Sequence, residues 1–372
     1  MELDRFILWF LNYTPKVLRR IVRDNFGLTN WDERRYREKN EYIHLGDEKV
    51  FEQSDITVGI VHNSRQSHKY WVGACVNKKV SFRIIHLDRS DWLEQVLDSA
   101  IDALLIWPDI SSQEIKTMQD ERLRIINDSL GIYMYPSIKE IELYENKRLQ
   151  SYWLKAHGFP QADTRVFYDI HEMKTYLDTV NYPVVFKSNL GASASGVYIV
   201  RSSKQAHRLM KTFFRHGYKL RKKGGGVRQR GGVYVQNYLE GAKEWRMVRI
   251  GDSYFGHGKE MNGQFHSGSG KANWELPPET AFEMLRAVTD KEAFTSMDVD
   301  MFETKDGKIL INELQTVFGN SIAKEQLKLD GEPGRFFVGD SGRLIFESGS
   351  FCSNHLCDLR LDFVIESIKS KS

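Results

Sequence analysis

The sequence has little cysteine and no long hydrophobic run. Only three of its 372 residues are cysteine, a number that argues against a disulfide scaffold and fits a reducing compartment. The longest apolar run that could enter a membrane, Phe6 to Leu11, is far shorter than the roughly 20 residues that a bilayer span needs. We therefore expect a cytoplasmic protein without a transmembrane segment.

An excess of charge of one sign is also missing. The 53 basic and 50 acidic residues leave a net charge of +3, so charge alone does not make the chain a general polyanion binder. Six basic residues cluster within 219–230, but Tyr218 is the one aromatic residue beside them, which makes a poor platform for single-stranded nucleic acid. Nucleic acid is therefore not an expected partner.

Two local patterns each have two interpretations. Residues 1–25 could form a basic amphipathic helix that touches a membrane surface, or a helix that packs on the main body, which we favour. The stretch "CSNHLC" places His355 between Cys352 and Cys357. It could bind zinc, but a fourth ligand is not evident, so ordinary packing is the preferred interpretation.

The order of apolar runs indicates several packed units, as the chain length requires. From Ile56 to Ile138 strands and helices alternate, which is typical of a parallel sheet with helical crossovers. A small α+β segment follows, from Arg165 to about Arg215. Strands dominate after Gly232. The sequence shows no internal repeat.

The stretch "YPVVFKSNLGASASGVYIV" ends an apolar run in Lys187 and continues with small residues. Small residues let backbone N–H groups approach an anion closely, and a lysine adds a positive charge on a flexible stem. No Gly-Lys-Ser/Thr ends the loop, which excludes a Walker A motif, and the strand that follows excludes a dinucleotide fingerprint. The pattern predicts a β-hairpin flap over phosphates.

Charged residues stand at the starts of two further elements. Lys147 opens the predicted helix of "ENKRLQSYWLKAHGFP". Glu244 and Arg246 enter a strand that follows "VYVQNYLEG". Together with Lys187, they indicate a site built from several separate segments.

A predicted hairpin near residue 306 carries acidic residues. "VDMFET" and "KILINEL" flank the turn Lys305-Asp306-Gly307. Asp300 and Glu313 then lie on paired strands, where two carboxylates can share Mg²⁺, which completes its shell with phosphate oxygens and water. Asp298 points to the same face as Asp300, and we interpret it as the partner of a basic residue.

In this order, the motifs resemble the ATP-grasp superfamily over roughly residues 56–325. The resemblance implies an α/β and α+β fold, in which an N-terminal parallel α/β domain precedes two α+β lobes that clasp ATP. We assign a basic and aromatic extension to 1–54, the α/β domain to 55–138, the small lobe to 139–232, the large lobe to 233–330 and a C-terminal extension to 331–372.

The resemblance implies ATP and Mg²⁺ as cofactors, and it gives the matching residues roles. The implied nucleotide contacts are phosphate binding by Lys147 and Lys187, a flap at Ser193 and Ser195, adenine binding by Gln236, Asn237, Tyr238 and Leu239, and ribose binding by Glu244. The implied metal ligands are Asp300, Glu313 and Gln315. Many family members have asparagine at the third position, and the amide oxygen of Gln315 can take its place.

The resemblance also implies a reaction in which ATP phosphorylates a carboxylate and an amine attacks the acyl phosphate. Arg246, Lys259 and His266 are candidates for the positive group near the developing oxyanion. For His266, a loop residue without a role is an equal alternative. The stretches "FHSGSGK" and "INELQTVFG" resemble family members of surface-polysaccharide pathways.

That resemblance makes the expected partners a small-molecule carboxylate and an amine, among them sugar derivatives. A homo-oligomer is compatible with the sequence. Two other functions stay open: a phosphotransferase that acts on a hydroxyl, and a non-catalytic module that binds nucleotide.

Overall fold

The computed structural model describes residues 42–189, 196–219, 228–260, 272–318 and 325–370. Ser193, Ser195 and His266 lie outside these ranges, as do residues 1–25 and the centre of the basic loop. Across the ranges described, every helix is too short or too polar to cross a bilayer.

The first sheet has five strands in the order β1-β3-β2-β4-β5. They are β1 (Glu48–Lys49), β2 (Thr57–Val61), β3 (Ser81–Ile85), β4 (Ala103–Leu105) and β5 (Met134–Tyr135). Strands β2 to β5 are parallel, and β1 runs antiparallel to β3. The apolar sequences of β2 and β4 are almost wholly buried, as strands covered on both faces must be. This confirms the predicted alternating α/β unit.

Helices cover both faces of this sheet. They are α1 (Lys69–Lys78), α2 (Trp92–Leu97) and α3 (Gln113–Leu130), together with the C-terminal helix α9 (Cys357–Lys369). Helices α1 and α9 share a core with one face, while α2 and α3 share a core with the other. Ser112 caps α3 by accepting a hydrogen bond from the Ile115 N–H, and Gly131 ends it with φ +65°.

The stretch "CSNHLC" lies just before and within the start of α9. Cys352 and Cys357 are buried among apolar side chains. The His355 ring lies against the Tyr70 ring, with 3.9 Å between centroids. In the part of the chain that the structure describes, these three residues form no group at metal-binding distance, so packing is the interpretation that fits.

Two short helices connect the first sheet to the rest of the chain. They are α4 (Ile138–Leu143) and α5 (Lys147–Ala156). Ser137 and Glu140 form a capping box at the start of α4. Glu140 also accepts hydrogen bonds from the backbone N–H groups of Thr295 and Ser296, at 2.9 and 2.7 Å. Helix α4 is thereby attached to the large sheet.

A four-stranded antiparallel sheet follows, in the order β6-β11-β7-β8. Its strands are β6 (Thr164–Phe167), β7 (Val184–Lys187), β8 (Val197–Val200) and β11 (Val233–Asn237). Helices α6 (Ile170–Thr179) and α7 (Ser203–Lys211) share its core. Strands β7 and β8 pair with Lys187 opposite Val197, which confirms the predicted hairpin. A separate ribbon joins β9 (Tyr218–Lys219) to β10 (Arg228–Gln229).

The large sheet has eight strands, with the path β16-β15-β12-β13-β18-β17 and two strands beside it. The strands are β12 (Lys243–Ile250), β13 (Ser253–Lys259), β14 (Ala272–Asn273), β15 (Ser296–Glu303), β16 (Ile309–Gln315), β17 (Lys328–Leu329), β18 (Glu332–Val338) and β19 (Leu344–Ser348). Helix α8 (Glu279–Asp290) packs on one face. Gly307, with φ +77°, turns the β15–β16 hairpin at the predicted place.

Candidate active site

Charged side chains gather on the face of the large sheet that does not pack on α8. Along β12, Trp245 and Met247 enter the core with α8, so Glu244 and Arg246 point the other way. Four cations and five carboxylates meet here, which we call the charge cluster: Lys147, Lys187, Arg246 and Lys259 with Glu145, Glu244, Asp298, Asp300 and Glu313. Most of these side chains are buried. Burying charges costs free energy, so such a cluster indicates a functional site.

Asp300 lies at the centre of the cluster because of the strand register. It pairs with Arg246 of β12 on one side and with Glu313 of β16 on the other. Arg246 donates hydrogen bonds to both carboxylate oxygens, at 3.2 and 3.4 Å, and Lys259 Nζ donates to Oδ2. Burial alone would raise the pKa of Asp300, but Arg246 and Lys259 hold that pKa well below its usual value. Asp300 is therefore ionised.

Glu244 is paired with Lys259. The register of β12 and β13 places the two residues opposite each other, and Lys259 Nζ donates to Glu244 Oε1 at 2.9 Å. The adjacent Lys243 lies 3.0 Å from Glu275 instead. Lys259 thus connects the expected ribose ligand to the expected metal ligand Asp300.

Lys147 is the first residue of α5, where Asn146 caps the helix. Its Nζ donates to Glu313 Oε1 at 2.8 Å and lies 3.6 Å from Glu145 Oε2. Burial lowers the pKa of Lys147, but Glu313 and Glu145 outweigh that effect and raise the pKa above its usual value. Burial likewise raises the pKa of Glu313, but the Lys147 charge lowers it by more, so this pKa lies below its usual value. Both groups are therefore charged.

Lys187 ends β7 and reaches from the small sheet to the large one. Its Nζ donates to Asn312 Oδ1 at 2.9 Å and lies 5.4 Å from the centre of the Tyr234 ring. Among the described residues, no carboxylate lies within 4.0 Å of this nitrogen. Burial lowers the pKa of Lys187 to about 8. The ammonium is thus held at the junction of two sheets by an amide oxygen, with no ionic partner among the residues that the structure describes.

A β-bulge in β16 allows two consecutive residues of this strand to contact Lys147 and Lys187. Asp300 pairs with Glu313 and Met301 pairs with Ile311, so Asn312 is an extra residue. The bulge interrupts the alternation of side chains, because Ile311 and Leu314 both enter the core. As a result, the consecutive residues Asn312 and Glu313 both face a lysine.

The acidic hairpin offers a set of oxygen atoms that suits Mg²⁺. Asp300 and Glu313 are cross-strand partners, and Gln315 pairs with Asp298 at the neighbouring position. Asp298 is completely buried and its Oδ2 lies 3.1 Å from Arg246 Nε, but neither of its carboxylate oxygens has a hydrogen bond within the described ranges. Carboxylate and amide oxygens are the ligands that hard cations prefer. The arrangement fits the predicted metal site, and Arg246 is the basic partner expected for Asp298.

The predicted adenine contacts lie where β11 leads to the large sheet. Gln236 Nε2 donates to the hydroxyls of Thr164 and Tyr234, both at 3.2 Å, so its side chain is occupied within the protein. Asn237 ends β11, and its N–H donates to the Asp163 carbonyl at 2.9 Å. Tyr238 and Leu239 belong to the short connection that precedes β12.

Sequence reasoning missed two members of the site. Glu145 precedes Lys147 by two residues, with φ +52°, and its side chain is buried beside that lysine. Asn312 holds Lys187. The stretch "YENKR" contains a signal for Glu145, because an acid and a base sit close together at a helix start. Asn312 gave no signal, since an unbroken strand would have turned it away from Glu313.

The comparisons with known proteins support this architecture. No protein-family model and no curated protein sequence matches the chain. Among solved structures, the biotin carboxylase domain of 2-oxoglutarate carboxylase from Hydrogenobacter thermophilus is similar, with 15% identity and a TM-score of 0.54. The similarity covers 72% of this chain and 65% of that one, slightly less than two thirds of its length.

Two further structures are covered more completely. A RimK domain ATP-grasp protein from Sphaerobacter thermophilus has 15% identity and a TM-score of 0.54, over 82% of this chain and 98% of that one. N5-carboxyaminoimidazole synthetase from Staphylococcus aureus has 12% identity and a TM-score of 0.54, over 79% and 85%. At these identities the similarity concerns the fold alone. The chain has the ATP-grasp fold.

Proposed function

We propose that the chain binds ATP with Mg²⁺ and uses it to activate a carboxylate as an acyl phosphate, which an amine then attacks. One observation carries this proposal: Lys147 and Lys187, from different elements, face neighbouring residues of the acidic strand β16. The fold gives further support. The Hydrogenobacter structure is a complex with MgADP, ADP and bicarbonate, and the Staphylococcus structure is a complex with ADP.

In this proposal the two lysines bind the phosphates of ATP. Lys187 is suited to this because its buried ammonium has an amide partner and not a carboxylate partner among the described residues. An incoming phosphate would supply the missing negative charge and raise the pKa of Lys187 from about 8. Lys147 is held by Glu313 and Glu145 at the start of α5. Ser193 and Ser195 are proposed as the flap above these phosphates.

Asp300, Glu313 and Gln315 are the proposed ligands of Mg²⁺. When bound, the ion would neutralise negative charge on the phosphates during transfer. The cations that contact Asp300 and Glu313 keep both carboxylates ionised, as a metal ligand must be.

Arg246 and Lys259 are the proposed groups that stabilise charge at the reacting centre. Both already converge on Asp300, and fixed positive groups lower the free energy of a developing oxyanion. Lys259 also orients Glu244, the proposed ribose ligand, while residues 236–239 are proposed to contact adenine. His266 is kept as a further candidate for substrate contact.

The proposal extends to the class of substrate. The resemblance of "FHSGSGK" and "INELQTVFG" to family members of surface-polysaccharide pathways favours a sugar acid or a sugar amine. A cytoplasmic site of action and the domain boundaries given above belong to the same proposal. A homo-oligomer is compatible with it.

The test is a screen of carboxylate and amine pairs with ATP and Mg²⁺, measuring ADP release and identifying products by mass spectrometry. For an active pair, an ¹⁸O-labelled carboxylate should transfer one ¹⁸O to the released phosphate, because the acyl phosphate contains a carboxylate oxygen. A phosphorylated hydroxyl without released phosphate would instead show a phosphotransferase. Absence of ADP or ATP binding would overturn both activities.

A further inference from the structure

Two histidines and an aspartate meet at the carboxyl edge of the first sheet, and the charge cluster includes none of them. His62 follows β2 directly and His86 follows β3 directly. Parallel pairing places Val61 beside Ile85, so the two histidines leave the sheet side by side. Their rings stack with 4.6 Å between centroids. Asp88 Oδ1 lies 3.9 Å from His86 Nδ1.

The three side chains can close around one ion. One potential ligand atom from each of His62, His86 and Asp88 lies within 4.8 Å of the other two. Ligand bonds of 2.0–2.1 Å in a tetrahedral site place neighbouring ligand atoms about 3.3 Å apart. The ligand atoms therefore need to move only slightly closer together to hold an ion. The Asp88 side chain can make this movement because it is 55% exposed.

A fourth residue, Asp47, lies near the second ring nitrogen of His86. His86 Nε2 is buried and has no hydrogen bond within the described ranges, and the Asp47 carboxylate lies 3.6 Å away. Asp47 is fixed beside β3, because its carbonyl accepts a hydrogen bond from the Ile84 N–H at 2.7 Å. If Nδ1 binds a metal, Nε2 must carry the proton, which then points to a carboxylate. Metal-binding histidines commonly donate their second N–H in this way.

The three ligand atoms also indicate which metal the site fits. Two imidazole nitrogens and one carboxylate suit Zn²⁺ and related transition metals, whereas Mg²⁺ prefers oxygen ligands alone. Ring packing without an ion would explain the stacking, but it does not explain why carboxylates lie near both ring nitrogens of His86.

We propose that His62, His86 and Asp88 bind one divalent transition-metal ion, and that Asp47 orients His86 through Nε2. Zn²⁺ is the ion that this ligand set fits best, with a fourth position left for water or another ligand. The proposal does not depend on the ATP-dependent function, because it uses different residues on a different sheet.

The experiment is calorimetric titration of Zn²⁺ into the full chain after treatment with a chelator. We expect one ion to bind per chain in the wild type, His86→Ala to abolish that binding, and Asp88→Asn to weaken it at least tenfold. Asp47→Asn should weaken it 10–100-fold, as loss of an orienting carboxylate does. The matched control is His171→Ala, because His171 is an exposed histidine at the start of α6.

Co²⁺ provides a second readout, since four-coordinate Co²⁺ with these ligands absorbs visible light and should lose that absorption in His86→Ala. Circular dichroism and nucleotide binding of each variant separate loss of the site from loss of the fold. Asp88→Asn should fold whether or not the chain binds metal, because Asp88 is exposed. Equal Zn²⁺ affinity in the wild type, His86→Ala and Asp88→Asn, or no Zn²⁺ binding by the wild type, would overturn the proposal.

Discussion

Lys147 and Lys187 differ in what remains buried when their charge is removed. Replacing Lys147 by methionine leaves Glu145 and Glu313 without the ammonium that lies 3.6 and 2.8 Å from them. Breaking a buried ion pair from one side costs about 3–5 kcal/mol. We expect Lys147→Met to lower the free energy of unfolding by about 3 kcal/mol, because Glu313 keeps some contact with solvent.

Replacing Lys187 by methionine should have little effect on stability. The change removes one hydrogen bond to Asn312, worth about 0.5–1.5 kcal/mol. It also removes a buried charge whose desolvation is unfavourable, and methionine keeps most of the apolar stem. The two effects oppose each other, so we expect Lys187→Met to stay within about 1 kcal/mol of the wild type.

Nucleotide binding, unlike stability, should be weakened in both variants. A charge-assisted hydrogen bond to phosphate is worth about 1.5–3 kcal/mol, so each variant should bind ADP or ATP roughly 10–150-fold more weakly. Urea unfolding followed by circular dichroism gives the stability, and calorimetry gives the affinity. Lys174→Met is the matched control, since Lys174 pairs with Asp178 on an exposed face of α6. Equal destabilisation by Lys147→Met and Lys187→Met, or unchanged affinity in both, would refute this account of the site.

Two further predictions concern stability. His257 is buried, and burial together with Arg246 lowers its pKa to about 4. Because this pKa lies below the unfolded value of about 6.5, the stability from neutral His257 is complete above pH 6.5 and is lost as the pH falls towards 4. Urea unfolding at several pH values gives the free energy of unfolding as a function of pH. Between pH 6.5 and pH 4 this free energy should fall by up to about 3 kcal/mol less in His257→Gln than in the wild type. An equal fall in both proteins would contradict the prediction. A Cβ on Gly73 would lie 2.5 Å from Asn354 Oδ1, so Gly73→Ala should lower the free energy of unfolding by about 1–3 kcal/mol. Adding Asn354→Ala should restore part of that loss in the same assay, and an unchanged loss would show that this contact is not the cause.

Local sequence patterns predicted the elements that hold the site. The β7–β8 hairpin and the β15–β16 hairpin both form where small residues or the turn Lys305-Asp306-Gly307 indicated them. The start of α5 at Lys147 was also predicted. These features depend on turn chemistry and on the period of apolar residues, which a sequence displays directly.

The contacts among these elements could not be predicted in the same way. Lys259 reaches Glu244 and Asp300 because β12 has β13 on one side and β15 on the other. The sequence gives neither this strand order nor the register. The bulge at Asn312 likewise depends on how β16 pairs with β15. His62 and His86 both end apolar strands, a pattern visible in "GIVHN" and "RIIHL", but their contact required the parallel pairing of β2 and β3.

The most direct test of the proposed site is the effect of Mg²⁺ on nucleotide affinity in Glu313→Gln. Calorimetric titration with ATP or a non-hydrolysable analogue should show tighter binding with Mg²⁺ than without it in the wild type. In Glu313→Gln this gain should fall at least tenfold, because one ionised ligand of the metal is lost. The exposed Glu283 on α8 offers the matched control, Glu283→Gln, which should retain the full gain. An equal gain in the wild type and in Glu313→Gln would show that the β15–β16 hairpin does not hold the metal.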